Sequence, residues 1–336
     1  MPVTQPTKIA PFILGSGHAG QAAAKSLAAL AILRPELGLN PAQWLSRTSD
    51  LKGLCEAGAE PLLVISNPHG LHAKAILAAE AAGIKFIVVE KPACVSLGDM
   101  QALREVQATV GVLHIYRHLW GPQLLRTLFA GGELGELIAI EGRYWQASAA
   151  ERALSTTKAL PTWKDDEALA GRFDAYLDVG SHWMDMLTYL VGQPPSRIDA
   201  WLTYHNAASQ HRDTHVQTVV NFPGGQRAFG SVSKAVHGAG NQFAIHILGS
   251  RGSAAWDFED PDRVTIGQGR DRRTIARAST DLGSGQSPFH GMGWLEGYIE
   301  CFHQFVRAMR GDAGHYPTLA ENLVLLQTML QANLTR

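Results

Sequence analysis

Cysteine is scarce in this sequence. Cys55, Cys94 and Cys301 are its only three, far apart and without a CxxC pair. That spacing argues against a disulfide framework or a zinc cluster and fits a reducing compartment. Charge of one sign is also lacking, since the net charge is −1. Nucleic-acid and membrane-surface proteins usually carry a basic stripe, so neither partner is expected. No uninterrupted apolar run approaches the roughly 20 residues that span a bilayer. Met1–Ala10 lacks the basic-then-apolar pattern of a secretory signal. The expected location is therefore the cytoplasm. Internal repeats and low-complexity linkers are absent too. The chain has 336 residues, 46 % of them apolar, which suggests two domains with sizeable cores.

The first third alternates short apolar runs with alanine-rich stretches. Strands are predicted at Ile9–Leu14, Ala42–Arg47, Pro61–Ser66, Lys85–Val89 and Gly111–Ile115. Helices are predicted near Ala19–Leu33, Gly70–Ala82 and Leu97–Ala108, the first stopping before Pro35. Strand–helix alternation of this kind argues for an α/β parallel sheet covered on both faces. After about Trp120 the pattern changes. Ile138–Gln146, Ile198–His205, Val216–Phe222, Arg227–Ser233, Phe243–Leu248 and Ala254–Phe258 read as longer strands, many alternating polar and apolar residues. Pro223-Gly224-Gly225 and Gly249-Ser250-Arg251-Gly252 punctuate them as turns. These features predict an α+β domain with an antiparallel sheet covered on one face. Two helices, near Trp294–Arg310 and Leu319–Asn333, close the chain and are expected to pack back on the core. The expected domains are 1–119 and 120–336.

Gly15-Ser16-Gly17-His18-Ala19-Gly20 lies directly between a predicted strand and helix. The first glycine permits a tight turn, the second lets backbone approach a pyrophosphate, and the third allows close helix–strand packing. A bare GxGxxG is a weak signal, but this context favours a dinucleotide site over an ordinary turn. The end of the second strand reads Trp44-Leu45-Ser46-Arg47-Thr48. It has no carboxylate of the kind that bonds the ribose 2′-hydroxyl of NAD. Arg47 can pair with a 2′-phosphate while Ser46 and Thr48 donate to it; the alternative is a solvated loop arginine beside two turn formers. The expected cofactor is NADP(H) in preference to NAD(H).

Glu90-Lys91-Pro92 ends the fourth strand. Open α/β sheets bind ligands beyond the carboxyl ends of their strands, which makes Lys91 a candidate. Its alternative is a plain loop residue. Asp178, His182 and Asp185 have the spacing that shares one face of a helix, next to an apolar face of Val179, Trp183, Met186 and Leu190. A buried hydrogen-bond network or a cap at Asp178 would explain the same residues. No metal site is expected.

In order and separation, Gly15-Ser16-Gly17-His18-Ala19-Gly20, Glu90-Lys91-Pro92 and Asp178-x-Gly180-x-His182-x-x-Asp185 resemble the glucose–fructose oxidoreductase, inositol dehydrogenase and rhizopine-catabolism (Gfo/Idh/MocA) family. The resemblance implies an N-terminal Rossmann domain and a C-terminal open-faced antiparallel sheet domain with helices. It implies hydride transfer between a nicotinamide and a sugar, polyol or related carbonyl compound. Homodimers or homotetramers built through the open sheet face are implied as well. The expected cofactor-binding residues are Gly15, Gly17, His18, Ala19, Gly20, Ser46, Arg47, Thr48, Asn67, Glu90 and Lys91. Lys91, Tyr116, Arg117, Trp163, Asp178 and His182 are the expected substrate residues. Among them Lys91, Asp178 and His182 are expected to be catalytic, with His182 as base, Asp178 orienting it and Lys91 bonding the substrate oxygen. Two alternatives share this fold: a bound nicotinamide used as an internal redox relay, and a non-catalytic ligand-binding regulator. Two departures from the family pattern stand out. The segment between the second strand and Pro61 is short, and Gly171-Arg172-Phe173-Asp174 replaces a glycine-rich stretch. Arg270, Arg272, Arg273 and Arg277 could bind a phosphorylated substrate, but a solvated loop is the favoured reading.

Overall fold

The computed structural model describes residues 7–56, 58–155, 162–205, 212–278 and 283–336. Residues 1–6 of the N-terminal segment read above fall outside them. The described residues of Met1–His118 and Ser279–Leu323 form one compact unit, and those of Leu119–Ala278 and Val324–Arg336 form a second. In chain order the helices are α1 (His18–Leu33), α2 (His72–Ala81), α3 (Leu97–Leu103), α4 (Trp120–Ala130), α5 (Ser148–Leu154), α6 (Glu167–Ala170), α7 (Gly180–Val191), α8 (Leu295–Met309) and α9 (Leu319–Leu330). None among the described residues is long and apolar enough to cross a membrane.

In the first unit, β1 (Ile9–Leu14), β2 (Gln43–Leu45), β3 (Glu60–Ile65), β4 (Phe86–Val89) and β5 (Thr109–Val112) form an all-parallel sheet in the order β2-β1-β3-β4-β5. Leu62, Leu63, Val64 and Ile65 are fully buried, as expected where helices cover both faces. The chain leaves β1 in one direction towards β2 and returns on the other side as β3. The carboxyl ends of β1 and β3 therefore flank the point where strand order reverses, the usual ligand position in such sheets. α1 buries Ala22, Ala23, Leu27 and Leu30. The helix expected to reach Ala108 stops at Leu103. Glu80 accepts the backbone N–H groups of Gln107 and Ala108, which gives that segment partners outside a helix.

The second unit holds a nine-stranded sheet in the order β13-β12-β11-β10-β6-β9-β8-β7-β14. Its strands are β6 (Leu137–Trp145), β7 (Arg197–Thr203), β8 (His215–Asn221), β9 (Arg227–Ser233), β10 (Gln242–Gly249), β11 (Ser253–Asp257), β12 (Arg263–Gln268), β13 (Asp271–Ala276) and β14 (Asn333–Thr335). The expectation of a purely antiparallel sheet is corrected, because β6 runs parallel to β9 and β14 parallel to β7. Long connections make this feasible, whereas a hairpin enforces antiparallel pairing. The arginine-rich segment is also corrected from loop to structure. Arg270 lies in the turn between β12 and β13, Arg272 and Arg273 are exposed on the edge strand, and buried Arg277 pairs with Asp262 at 3.1 Å. Charged side chains on an edge discourage further strand pairing.

One face of this sheet is buried, with Val216, Val220, Ala228, Val232 and Ile247 at 0 % exposure. The indole of Trp183 from α7 lies against it. A Cβ built on either Gly142 or Gly230 would come within 2.6 Å of that ring, and these two glycines are register partners across β6 and β9. The indole N–H donates to Thr218 Oγ1 at 3.2 Å. A side chain at either glycine would lift α7 and everything it carries. The opposite face leaves Trp201 46 % and Phe229 41 % exposed.

Candidate active site

The glycine loop has the geometry its sequence suggested. Gly15 has φ +118°, and a Cβ there would lie 2.5 Å from the Ser66 carbonyl at the end of β3. A Cβ on Gly20 would lie 1.9 Å from the Gly15 carbonyl oxygen. Gly17 differs, because a Cβ there would meet nothing within 4 Å. It is the N-cap of α1 in extended conformation, without a side-chain cap bond and without an acidic residue in the first turn. The opening N–H groups of α1, at His18, Ala19 and Gly20, thus lie beside open space, where a helix N-terminus favours an anion. This cradle fits a dinucleotide diphosphate. Arg47 is exposed in the turn after β2. Beside it Ser46 Oγ bonds Thr48 Oγ1 and Ser49 Oγ, each at 3.1 Å, so the hydroxyls form one cluster. The shortened segment that follows contains a 3₁₀ turn at Lys52–Glu56.

Lys91 sits in a backbone turn held on several sides by buried groups of the same unit. The Lys91–Pro92 peptide is cis. Before it, the buried Glu90 carboxylate accepts a hydrogen bond from the Tyr298 hydroxyl of α8. After it, the Pro92 carbonyl oxygen lies 2.7 Å from His72 Nδ1, and the Ala93 N–H donates to Asn322 Oδ1 at 3.3 Å. Asn322 Nδ2 in turn lies 2.7 Å from His114 Nε2. The second ring nitrogen of His72 lies 2.8 Å from the Asn67 carbonyl oxygen. His72 thereby ties the residue after the phosphate loop's neighbour, Ser66, to the lysine turn. Burial pulls the His72 pKa down to about 4; its two carbonyl contacts oppose this and the Lys91 charge adds to it. An aromatic contact series also reaches this turn. The His18 ring stacks on Trp294 at 4.9 Å, Trp294 meets Tyr298 edge-on at 5.2 Å, and Tyr298 bonds Glu90. Burial and the nearby Glu90 carboxylate push the Tyr298 phenol well up, so it stays a donor. Tyr116 is buried in a 3₁₀ turn, Ile115–His118, and Arg117 lies 3.9 Å from Glu321.

In the second unit, Asp178 belongs to a π turn at Ala175–Val179, and α7 begins only at Gly180. The expected single α-helical face is therefore corrected: His182 and Asp185 share α7, while Asp178 sits on the wider turn before it. That turn is clamped from outside. The buried Asp213 carboxylate accepts the N–H groups of Asp174 and Tyr176 at 2.7 and 2.6 Å. Arg212 donates to the carbonyls of Gly171 and Phe173. Asp178 Oδ2 accepts from Lys234 Nζ at 2.7 Å and from Lys164 Nζ at 3.1 Å. Neighbouring Trp163 is half-buried, with the Lys164 ammonium 5.6 Å from its ring centre. Thr162 and Asp165 form a capping box, and the Arg152 guanidinium grips Asp165 through two 2.8 Å bonds, holding its carboxyl down at about 2. His182 is buried, its ring 5.8 Å from that of Tyr144.

The structure thus groups Gly15, Gly17, His18, Ala19, Gly20, Asn67, Glu90 and Lys91 at one end of the parallel sheet, with Ser46, Arg47 and Thr48 after its neighbouring strand. It groups Trp163, Asp178 and His182 separately, around the π turn. Sequence reasoning missed His72, Asn322, Trp294, Tyr298 and Lys234. Only Lys234 had a local signal, since like Lys91 it follows directly on a strand.

Residues 123–255 match the model of the GFO/IDH/MocA C-terminal domain. A levoglucosan dehydrogenase from Pseudarthrobacter phenanthrenivorans is 24 % identical over 331 residues, covering 87 % of this chain and 83 % of that protein. Among solved structures, levoglucosan dehydrogenase in complex with NADH superposes with a TM-score of 0.83 at 21 % identity, covering 97 % of each chain. An inositol dehydrogenase homolog complexed with NAD+ from Azotobacter vinelandii gives 0.80 at 20 %, covering 98 % of this chain and 95 % of that one. The resemblance to the Gfo/Idh/MocA family is borne out, and the fold is that of its oxidoreductases.

Proposed function

We propose that the protein is a nicotinamide-dependent dehydrogenase acting on a CH–OH group of a sugar or polyol, with NADP(H) preferred over NAD(H). The observation that carries this reading is the pairing of an open phosphate cradle at Gly17 with a lysine turn fixed by Tyr298, His72 and Asn322. The match to levoglucosan dehydrogenase along most of both chains supports it. The bound nicotinamide supplies the hydride acceptor or donor. The N–H groups at the start of α1 hold the diphosphate. Arg47 with Ser46 and Thr48 takes the 2′-phosphate, because a guanidinium and hydroxyls bind such an anion where a carboxylate would repel it. Lys91 hydrogen-bonds the reacting hydroxyl oxygen of the substrate. His182 takes the proton from that oxygen, the role an imidazole fills in general acid–base catalysis. Asp178, ion-paired on both sides, serves as the fixed carboxylate that orients the His182 ring.

The subunits associate as a homodimer or homotetramer through the open face of the nine-stranded sheet. Exposed Trp201 and Phe229 on that face support this, because monomers rarely tolerate large apolar patches.

Turnover of Lys91→Ala and His182→Ala on a sugar and polyol panel tests the assignment. Each variant should lose about 10²-fold or more, the usual cost of general acid–base groups, with cofactor affinity and unfolding midpoint close to parental. Near-parental turnover in either variant removes that residue from the mechanism.

A further inference from the structure

A lysine-and-carboxylate cluster that the sequence pattern did not announce surrounds Lys234. Its side chain is 4 % exposed, and its ammonium is shared between the Asp174 and Asp178 carboxylates. Burial alone would lower its proton affinity; the two carboxylates outweigh this and raise it, so it stays charged. The stem that delivers the charge is itself fixed. The Lys234 N–H donates to the Thr214 carbonyl at 2.8 Å, and the Lys234 carbonyl accepts from Ala149 at 2.7 Å. Arg212 lies 3.6 Å from the same Asp174. The second ammonium on Asp178, that of Lys164, is half-exposed, and such pairs hold geometry weakly because water competes with them. A desolvated ammonium is different, since it has no solvent to turn to in place of its carboxylates.

We propose that Lys234 is the positioning residue of the substrate site: its buried ammonium fixes the Asp178 carboxylate on the π turn that leads into the His182 helix. This rests on the dehydrogenase reading above, in which Asp178 belongs to the substrate site. Lys234 touches the carboxylates, not the substrate, and acts through Asp178. Asp174 balances the charge and steers the ammonium from the far side. A purely structural alternative would have Lys234 serve only to neutralise Asp174.

Lys234→Met, Asp174→Asn and the double variant Asp174→Asn/Lys234→Met separate these roles. Lys234→Met retains the stem and removes the charge. It should lower kcat/KM for the sugar or polyol about 100-fold, the order expected when a site group is displaced by about an ångström. The KM for substrate should rise while cofactor affinity stays within about twofold. The double variant removes the stranded Asp174 charge together with the ammonium, so it keeps the question open if Lys234→Met fails to fold. The positioning role predicts that the double variant regains the parental unfolding midpoint but stays at least about 30-fold impaired. Full recovery of kcat/KM in the double variant would overturn it. Crystal structures of the parent and double variant provide a readout independent of turnover. Asp178 should leave its parental rotamer, and an unmoved carboxylate refutes the proposal. If instead the parent oxidises no sugar or polyol, the functional reading has failed and the crystallographic comparison still decides the role of Lys234.

Discussion

The buried imidazole of His72 makes the lysine turn sensitive to acid. A neutral imidazole carries one N–H, so it can donate to only one of the two carbonyl oxygens it faces. A second proton would satisfy the other, but burial holds the folded pKa at about 4, against 6.5 in the unfolded chain. Between those values the unfolded chain binds the proton more readily than the folded one. The stability contributed by this group is therefore complete above about pH 6.5 and is lost as pH falls towards 4. The interval corresponds to about 3 kcal/mol. The buried Glu300 titrates elsewhere: it is held down to about 2, burial being outweighed by bonds from His303, Gln304 and Ser284, so its window lies below 4.5. His72→Gln keeps an amide donor and removes the titration. Urea unfolding of parent and variant at steps from pH 7.5 to 4 isolates the effect, because groups common to both cancel in the difference. The parent should lose about 3 kcal/mol more than the variant across that range. Parallel stability curves would show that His72 is already protonated in the fold, or that burial does not govern it.

Two further outcomes follow from the site and the sheet. Arg47→Ala should weaken NADP binding by about 1.5–3 kcal/mol, the worth of a charge-assisted hydrogen bond, and leave NAD affinity nearly unchanged; isothermal titration with both cofactors measures it, and equal losses for the two would refute the 2′-phosphate assignment. Trp201→Glu together with Phe229→Lys places charges on the open sheet face and should shift the protein towards monomer in light scattering at micromolar concentration. A parent that is already a clean monomer there would refute the association.

The parallel sheet was legible because its determinants are local. Most of its strands are short, continuous apolar runs followed by a turn signal, and Ile9–Leu14 matches to the residue. The mixed sheet was legible in part. Alternation along β8 and β9 identifies strands and their buried face, but it carries no information about which neighbour runs parallel. The β6–β9 pairing joins residues about 90 positions apart along the chain, a property of the connections rather than of either strand. The strand β13 was missed because Arg272, Arg273 and Thr274 are exposed in succession on an edge strand, which erases the alternation that marks a half-buried one.

The candidate site divides along the same line. Motif residues such as Gly15, Gly17, Lys91 and His182 announce themselves, because a tight turn or a proton-transfer group needs a particular residue type at a particular spacing. Their supports do not. Tyr298 and Asn322 are ordinary residues of amphipathic helices until the fold brings them more than 200 positions back to Glu90 and Ala93. His72 looked like one helix residue among others, yet it spans two backbone carbonyls. Lys234 is the instructive case. Its place directly after a strand is a weak signal shared with Lys91, and only the fold shows it sealed under the π turn with two carboxylates. A buried charge without partners would be too costly to survive. An unexpected buried lysine therefore directs attention to its carboxylates, and here one of them is the aspartate that the motif had already singled out.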